Sequence, residues 1–131
     1  MRYESLRRSS EFRRAFREGR SVAGDYVVVH AVPNGLSTVR TGFPVTKKLG
    51  GAVVRNRVRR LLREAVRLAE GIPSSGYDMV IIPRRRTAGP DVKCPEVAFD
   101  LERVLCRLAL KEPLYQGPAE QDPAPEGDVK R

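Results

Sequence analysis

The side chains able to do chemistry are few. There is one histidine, His30, and two cysteines, Cys94 and Cys106, with no CxxC pair, so no zinc-ligand spacing is present. The carboxylates of the expected folded part, 1–115, are scattered, with no clustered set for a metal-dependent hydrolase and no partner that would make His30 a general base. Neither a P-loop nor a GxGxxG turn occurs. Arginine, in contrast, is abundant and concentrated. The stretch Lys47 to Leu68 reads KKLGGAVVRNRVRRLLREAVRL, with Glu64 its only acid. At about 100° per residue, Val54, Val58, Leu61, Ala65 and Leu68 form an apolar stripe. Arg55, Arg59, Arg60, Arg63 and Arg67 share an arc of roughly 140° with Asn56 among them, and Arg57 lies on its shoulder. Like charges four apart repel along a helix. A planar guanidinium pairs with phosphate oxygens and stacks on bases. This face is built for a polyanion, so the expected chemistry is binding, not catalysis.

The charge distribution agrees. The 131 residues carry a net charge of +9. Met1 to Arg67 holds 16 Lys and Arg against 5 Asp and Glu, whereas Leu68 to Arg131 holds 9 against 11. The contact surface for nucleic acid therefore belongs to the first half. No apolar run has membrane-spanning length, and the N-terminus lacks a signal-peptide pattern, so a cytoplasmic protein with two free thiols is expected.

The elements that must position the basic face follow from periodicity. Ser9 or Ser10 can cap a first helix that Gly19 ends, and Phe12 and Phe16, four apart, share a face ringed by arginines. Those rings either belong to the core or stack on single-stranded bases. Tyr26 to Val32 reads as a strand with Val27, Val29 and Ala31 inward and Tyr26, Val28 and His30 outward. Asn34-Gly35 predicts a hairpin to a second strand, Thr38 to Thr46, where Val39, Thr41, Phe43 and Val45 face inward. Pro44 should lie at an edge or beyond regular pairing. The basic helix runs from about Ala52 to Glu70. Tyr77 to Pro83 is a buried strand parallel to its predecessor, closing a βαβ unit. Arg84 to Arg86 is a second basic cluster. Pro95 starts the last helix, with Val97, Leu101, Val104, Leu105 and Leu108 as its core stripe and Phe99, Cys106 and Leu110 as a smaller one. The expected fold is α+β, a two-layer α/β sandwich of order α-β-β-α-β-α. One domain spans 1–115, and a Pro-, Gly- and acid-rich tail at 116–131 reads as disordered.

The stretch GFPVTKKLGGAVVRNRVRRLLREAVR, with its Arg55-Asn56-Arg57 core, resembles the signature of the bacterial ribonuclease P protein family. Leu6-Arg7, Phe12, Phe16 and Gly19 are similar to the opening helix of that family, and Asp78 to Arg84 to its last strand. The resemblance implies a left-handed βαβ crossover and an accessory role in an RNA-based endonuclease that removes 5′ leaders from precursor tRNA. It implies that the RNA subunit holds the Mg²⁺ and cleaves, with no catalytic residue and no bound cofactor or metal on the protein. Lys47, Lys48, Arg55, Asn56, Arg57, Arg59, Arg60 and Arg63 would contact the catalytic RNA. Phe12, Phe16, Val28, His30 and Thr46 would line a cleft for the single-stranded leader. The implied partners are the ribonuclease P RNA and precursor tRNA, with no membrane and no DNA. The competing expectation is a ribosomal or RNA-chaperone protein without linked nuclease activity. Both bind RNA with salt-sensitive affinity, and only the first confers leader cleavage on a catalytic RNA.

Overall fold

A computed structural model describes residues 3–110; the acid-rich tail at 116–131 lies outside them. The elements in chain order are β1 (Glu4–Ser5), α1 (Ser9–Glu18), β2 (Arg20–Ala23), β3 (Val27–Pro33), β4 (Val39–Gly42), α2 (Ala52–Leu68), β5 (Tyr77–Pro83) and α3 (Cys94–Leu108). Short 3-10 turns at Lys47–Leu49 and Arg85–Ala88 flank α2 and follow β5. The five strands form one sheet in the order β1-β4-β5-β3-β2.

The expected hairpin between the strands flanking Asn34-Gly35 does not form. β5 lies between them, parallel to β4 and antiparallel to β3. The reason is in the composition of β5. Its YDMVIIP run is buried along nearly its whole length, and such a strand needs neighbours on both edges. The Asn34 side chain turns the chain without pairing the strands. Its amide donates to the Thr38 carbonyl and to Asp78 Oδ1, and its oxygen accepts from the Leu36 amide. The expected parallel βαβ unit is present as β4, α2 and β5. β1 and β2 are additions to the expected order, because two exposed residues and an Arg-Ser-Val-Ala segment carry little strand pattern. β4 stops at Gly42, short of the expected Thr46, and leaves Pro44 beyond the ladder.

α2 and α3 pack on one face of the sheet. Their shared core contains Val27, Val29, Ala31, Met79, Ile81, Val58, Leu62, Leu101 and Leu108. The α3 stripe is buried as its spacing predicts, although Pro95 is the second helical residue, after Cys94. Phe99 and Cys106 remain exposed, so the smaller α3 stripe is not a packing surface, whereas Leu110 packs against the core. The α2 stripe is rotated by about 60° from its expected centre. Leu62 and Val66 are buried with Val58 and Ala65, and Leu68 is exposed. Contact with α3 pulls this side inward and leaves Arg55 and Arg59 half-buried at the edge of the basic face.

The β2–β3 turn is held from beneath by Asp100. Its buried carboxylate accepts the amides of Asp25, Tyr26 and Val27 at 2.9, 2.8 and 3.2 Å. A Cβ on Gly24 would come within 2.5 Å of the same carboxylate, so the turn needs glycine there. Asp100→Ala strands three amides together, and we expect a loss of about 3 kcal/mol in denaturant-unfolding stability. A loss under about 0.5 kcal/mol would mean that water replaces the carboxylate.

Candidate nucleic-acid interface

The 3-10 turn at Lys47–Leu49 and α2 form one continuous basic surface. Lys47, Lys48, Asn56, Arg57, Arg60 and Arg63 are exposed, and Arg55 and Arg59 are half-buried. The guanidinia are not equivalent. Arg57 Nη2 donates to the Ala88 carbonyl at 2.6 Å and ties α2 to the Arg85–Ala88 turn. Arg59 reaches Asn56 Oδ1 at 3.1 Å, and Arg67 pairs with Glu64. Arg55 Nε is buried without a hydrogen-bond partner. Among the described residues, Arg60, Arg63, Lys47 and Lys48 have no internal ion pair or side-chain hydrogen bond, so they carry the free positive charge of this face. The first turn of α2 contains no acid, which leaves its positive dipole end uncompensated.

The opposite face of the sheet is only partly covered. The register places Gly42, Val80, His30 and Ser21 in one row across the strands, and Ile82, Val28 and Ala23 in the next. α1 lies over the first row. Ala15 is its one fully buried residue, and Leu6, Val32, Val80, Phe12 and Ile82 complete a small second core. Phe12 presses on Gly42 so closely that a Cβ there would meet its ring at 2.5 Å. Phe16 is 43% exposed and sits edge-on to His30, with ring centroids 4.9 Å apart. Val28 and Ile82 are half-buried on the uncovered part, so Ile82 faces the open side and not a closed core as its VII run suggests. Thr46 is exposed, and with Pro44, Lys48, Leu49, Ile82, Pro83 and Arg85 it lines a shallow pocket.

The structure thus brings Phe16 of α1 against His30 and places Val28 two residues along the same face of β3. Phe12 is held mainly in the core beneath α1. Burial pushes His30 below its ordinary value, and its Nδ1 is buried without a hydrogen-bond partner. Arg85 is a lining residue that the sequence offers only as part of an exposed run. The structure separates it from its neighbours, because Arg84 donates to the Gly24 carbonyl and Arg86 lies over the Tyr26 ring.

Ions hold α1 in place together with this apolar packing. Asp78, on β5 and fully buried, accepts Arg40 Nε and Nη2 at 2.8 and 2.7 Å, and Arg14 of α1 approaches it at 3.8 Å. Arg40 Nη1 also reaches Glu11 Oε2 at 2.9 Å. Glu11 Oε1 accepts the amides of Arg7 and Arg8, each at 3.0 Å, so Glu11 caps α1. The expected Ser9 or Ser10 cap is replaced: Ser9 is the first helical residue and Arg8 occupies the cap position. Those amide bonds, helped by Arg40, hold the Glu11 carboxyl below its ordinary value of 4.5. A group depressed in the folded state stabilises above its unfolded value, and that contribution is lost as pH falls through the folded value. The stability difference between the parent and Glu11→Gln is therefore expected to be constant near neutrality and to shrink below about pH 4.5. A difference that persists unchanged to pH 2 in chemical unfolding would contradict the role of the charge.

Comparison with known proteins finds relatives over most of the chain. Residues 1–109 match the family model described as Ribonuclease P. The ribonuclease P protein component of Caldanaerobacter subterraneus subsp. tengcongensis is 39% identical over 111 residues, covering 85% of this chain and 90% of that protein. The counterpart from Roseiflexus castenholzii is also 39% identical, over 119 residues, with 90% and 93% covered. The solved RNase P protein of Thermotoga maritima superposes with a TM-score of 0.70 at 35% identity, covering 79% of this chain and 96% of that one. That of Staphylococcus aureus gives 0.68 at 29% identity, with 81% and 95% covered. The family match over residues 1–109, with relatives 39% identical over most of the chain and the same fold in solved members, places the chain in the ribonuclease P protein family.

Proposed function

We propose that this chain is the protein subunit of ribonuclease P, which supports endonucleolytic removal of the 5′ leader from precursor tRNA. The observation that carries the proposal is the presence of two RNA-compatible surfaces on one small fold. One is α2 with free Arg60 and Arg63, and the other is the cleft holding Phe16, Val28 and His30. In this reading Lys47, Lys48, Arg55, Asn56, Arg57, Arg59, Arg60 and Arg63 meet the ribonuclease P RNA. A largely phosphate-directed surface suits a folded RNA whose shape, not sequence, is recognised. The cleft takes the single-stranded leader. Half-exposed apolar and aromatic side chains offer bases a stacking surface with little hydrogen-bond readout, as sequence-tolerant binding requires. Thr46 and Lys48 continue the cleft towards α2, so a leader and the RNA subunit can be engaged together.

The RNA subunit is the catalyst in this reading and holds the Mg²⁺ for hydrolysis. The protein lowers the Mg²⁺ needed by supplying cationic charge. The internal engagement of Asp78 and Asp100 supports that division. Among the described residues no group of three or more His, Cys, Asp or Glu side chains is placed to hold a metal ion. No described helix is long and apolar enough to cross a membrane, and the reading places the complex in the cytoplasm. The test is affinity as a function of leader length in the reconstituted complex. Precursor tRNA should bind more tightly than mature tRNA, and the advantage should vanish as the leader is shortened to nothing. An advantage independent of leader length would remove the leader cleft from the account.

A further inference from the structure

Asp78 interrupts an otherwise apolar strand, and it is fully buried. A buried carboxylate is strongly unfavourable unless paired. Its partners come from three parts of the chain: Asn34 in the β3–β4 turn, Arg40 on β4, and Arg14 on α1. Arg40 extends the chain of charges to Glu11, which caps α1 through the Arg7 and Arg8 amides. Arg14 also donates to the Pro33 carbonyl at the end of β3. α1 is thus fastened in its first turn and at its middle.

The apolar hold on α1 comes from Ala15, its only fully buried side chain, and from Phe12 on Gly42, and it does not fix Phe16, which is 43% exposed. Yet α1 is the wall of the cleft, and the Phe16 ring meets His30 only where α1 holds it. We infer that Asp78 is a positioning residue for leader recognition: through Arg40, Glu11 and Arg14 it sets where α1 holds Phe16 over the open sheet face. The inference rests on the proposed leader cleft. Asp78 lies beneath α1 and touches no part of the cleft itself, so its effect on a leader is transmitted.

The same network does not reach α2. Arg40, Glu11 and Arg14 lie on the far side of the sheet from that helix, so assembly with the RNA subunit should be insensitive to it. Asp78→Asn keeps the shape and removes the charge. In the reconstituted complex it should reduce affinity for long-leader precursor on the order of tenfold, the scale of one lost stacking contact. Affinity for mature tRNA should stay within about twofold, a difference too small to represent a lost contact. The loss should appear in KM and not in kcat at saturating precursor, and should disappear with a leader too short to enter the cleft. A general structural defect would lower RNA assembly and mature-tRNA binding as well.

Circular dichroism establishes that the variant is folded. If Asp78→Asn does not fold, Glu11→Gln leaves the Arg40–Asp78 pair intact and carries the test with the same expected outcome. A parent complex with leader-dependent affinity and a folded variant that retains all of it would overturn the inference alone. A loss equal for precursor and mature tRNA would also overturn it. A parent complex with no leader dependence would overturn the cleft reading and this inference with it.

Discussion

Replacing Arg60 and Arg63 together by alanine is expected to weaken binding of the ribonuclease P RNA on the order of 100-fold at physiological salt, the scale of two lost charge-assisted contacts. The slope of log affinity against log salt should fall by about 1.5 to 2, because two fewer counterions are released. These two arginines are chosen because neither is engaged within the described protein. Arg57, which the sequence marks equally, donates to the Ala88 carbonyl, and Arg67 pairs with Glu64. Arg57→Ala should therefore change the slope less than Arg60→Ala while loosening the Arg85–Ala88 turn. Filter binding across a salt series measures both quantities. A double variant with the parental slope would show that the free face of α2 does not meet phosphate.

Phe16→Ala is expected to lower affinity for precursor tRNA by about 1–3 kcal/mol, the range for one base stacked on an aromatic ring. That corresponds to roughly 5- to 150-fold. Mature tRNA has no leader to stack, and its affinity should not change. The 43% exposure of Phe16 underlies the expectation, because truncating a half-exposed ring removes little core. Phe12→Ala should behave differently. Its ring is packed on Gly42 and the second core, so we expect a loss of folding stability of about 2–4 kcal/mol, visible in unfolding before any RNA is added. Equal losses on precursor and mature tRNA for Phe16→Ala would mean that its ring supports the fold and not the leader.

Much of this was legible in the sequence, for physical reasons that differ from element to element. α2 and α3 were readable because 3.6-residue periodicity is strong over 17 and 15 residues. β5 was readable from its apolar run. The face assignment along β3 also held, with Val27, Val29 and Ala31 buried and Val28 and His30 half-exposed, because alternation needs no knowledge of the neighbouring strand. The parallel pairing of β4 with β5 follows from the long helix between them, but the neighbour of β3 is not readable. Asn34-Gly35 is a local turn signal, and the insertion of β5 between β3 and β4 is decided by burial of a strand more than 40 residues later. Spacing alone puts the buried face of α2 part of a turn from its observed place, because Leu61, Leu62, Val66 and Leu68 all offer apolar surface and only docking of α3 selects among them.

The interface was legible as composition and less so as geometry. Nothing in the spacing distinguishes Arg57 from Arg60, yet one is tied to a carbonyl and the other is free. Phe12 and Phe16, four apart on one helix, looked equivalent and are not, because Gly42 opens space under one of them. The charge network beneath α1 was also hidden. Arg40 and Asp78 are far apart in the chain from each other and from Glu11 and Arg14 of α1, and the sheet register and the docking of α1 bring them together.

Reconstitution separates a ribonuclease P subunit from a general RNA-binding protein. The purified chain is mixed with a bacterial ribonuclease P RNA and a 5′-labelled precursor tRNA at low Mg²⁺, alongside each component alone. Cleavage at the mature 5′ end is expected in the mixture and not with either component alone under the same conditions. Tight RNA binding with no gain in cleavage would contradict the subunit reading, and would leave a basic α/β protein whose RNA partner lies elsewhere.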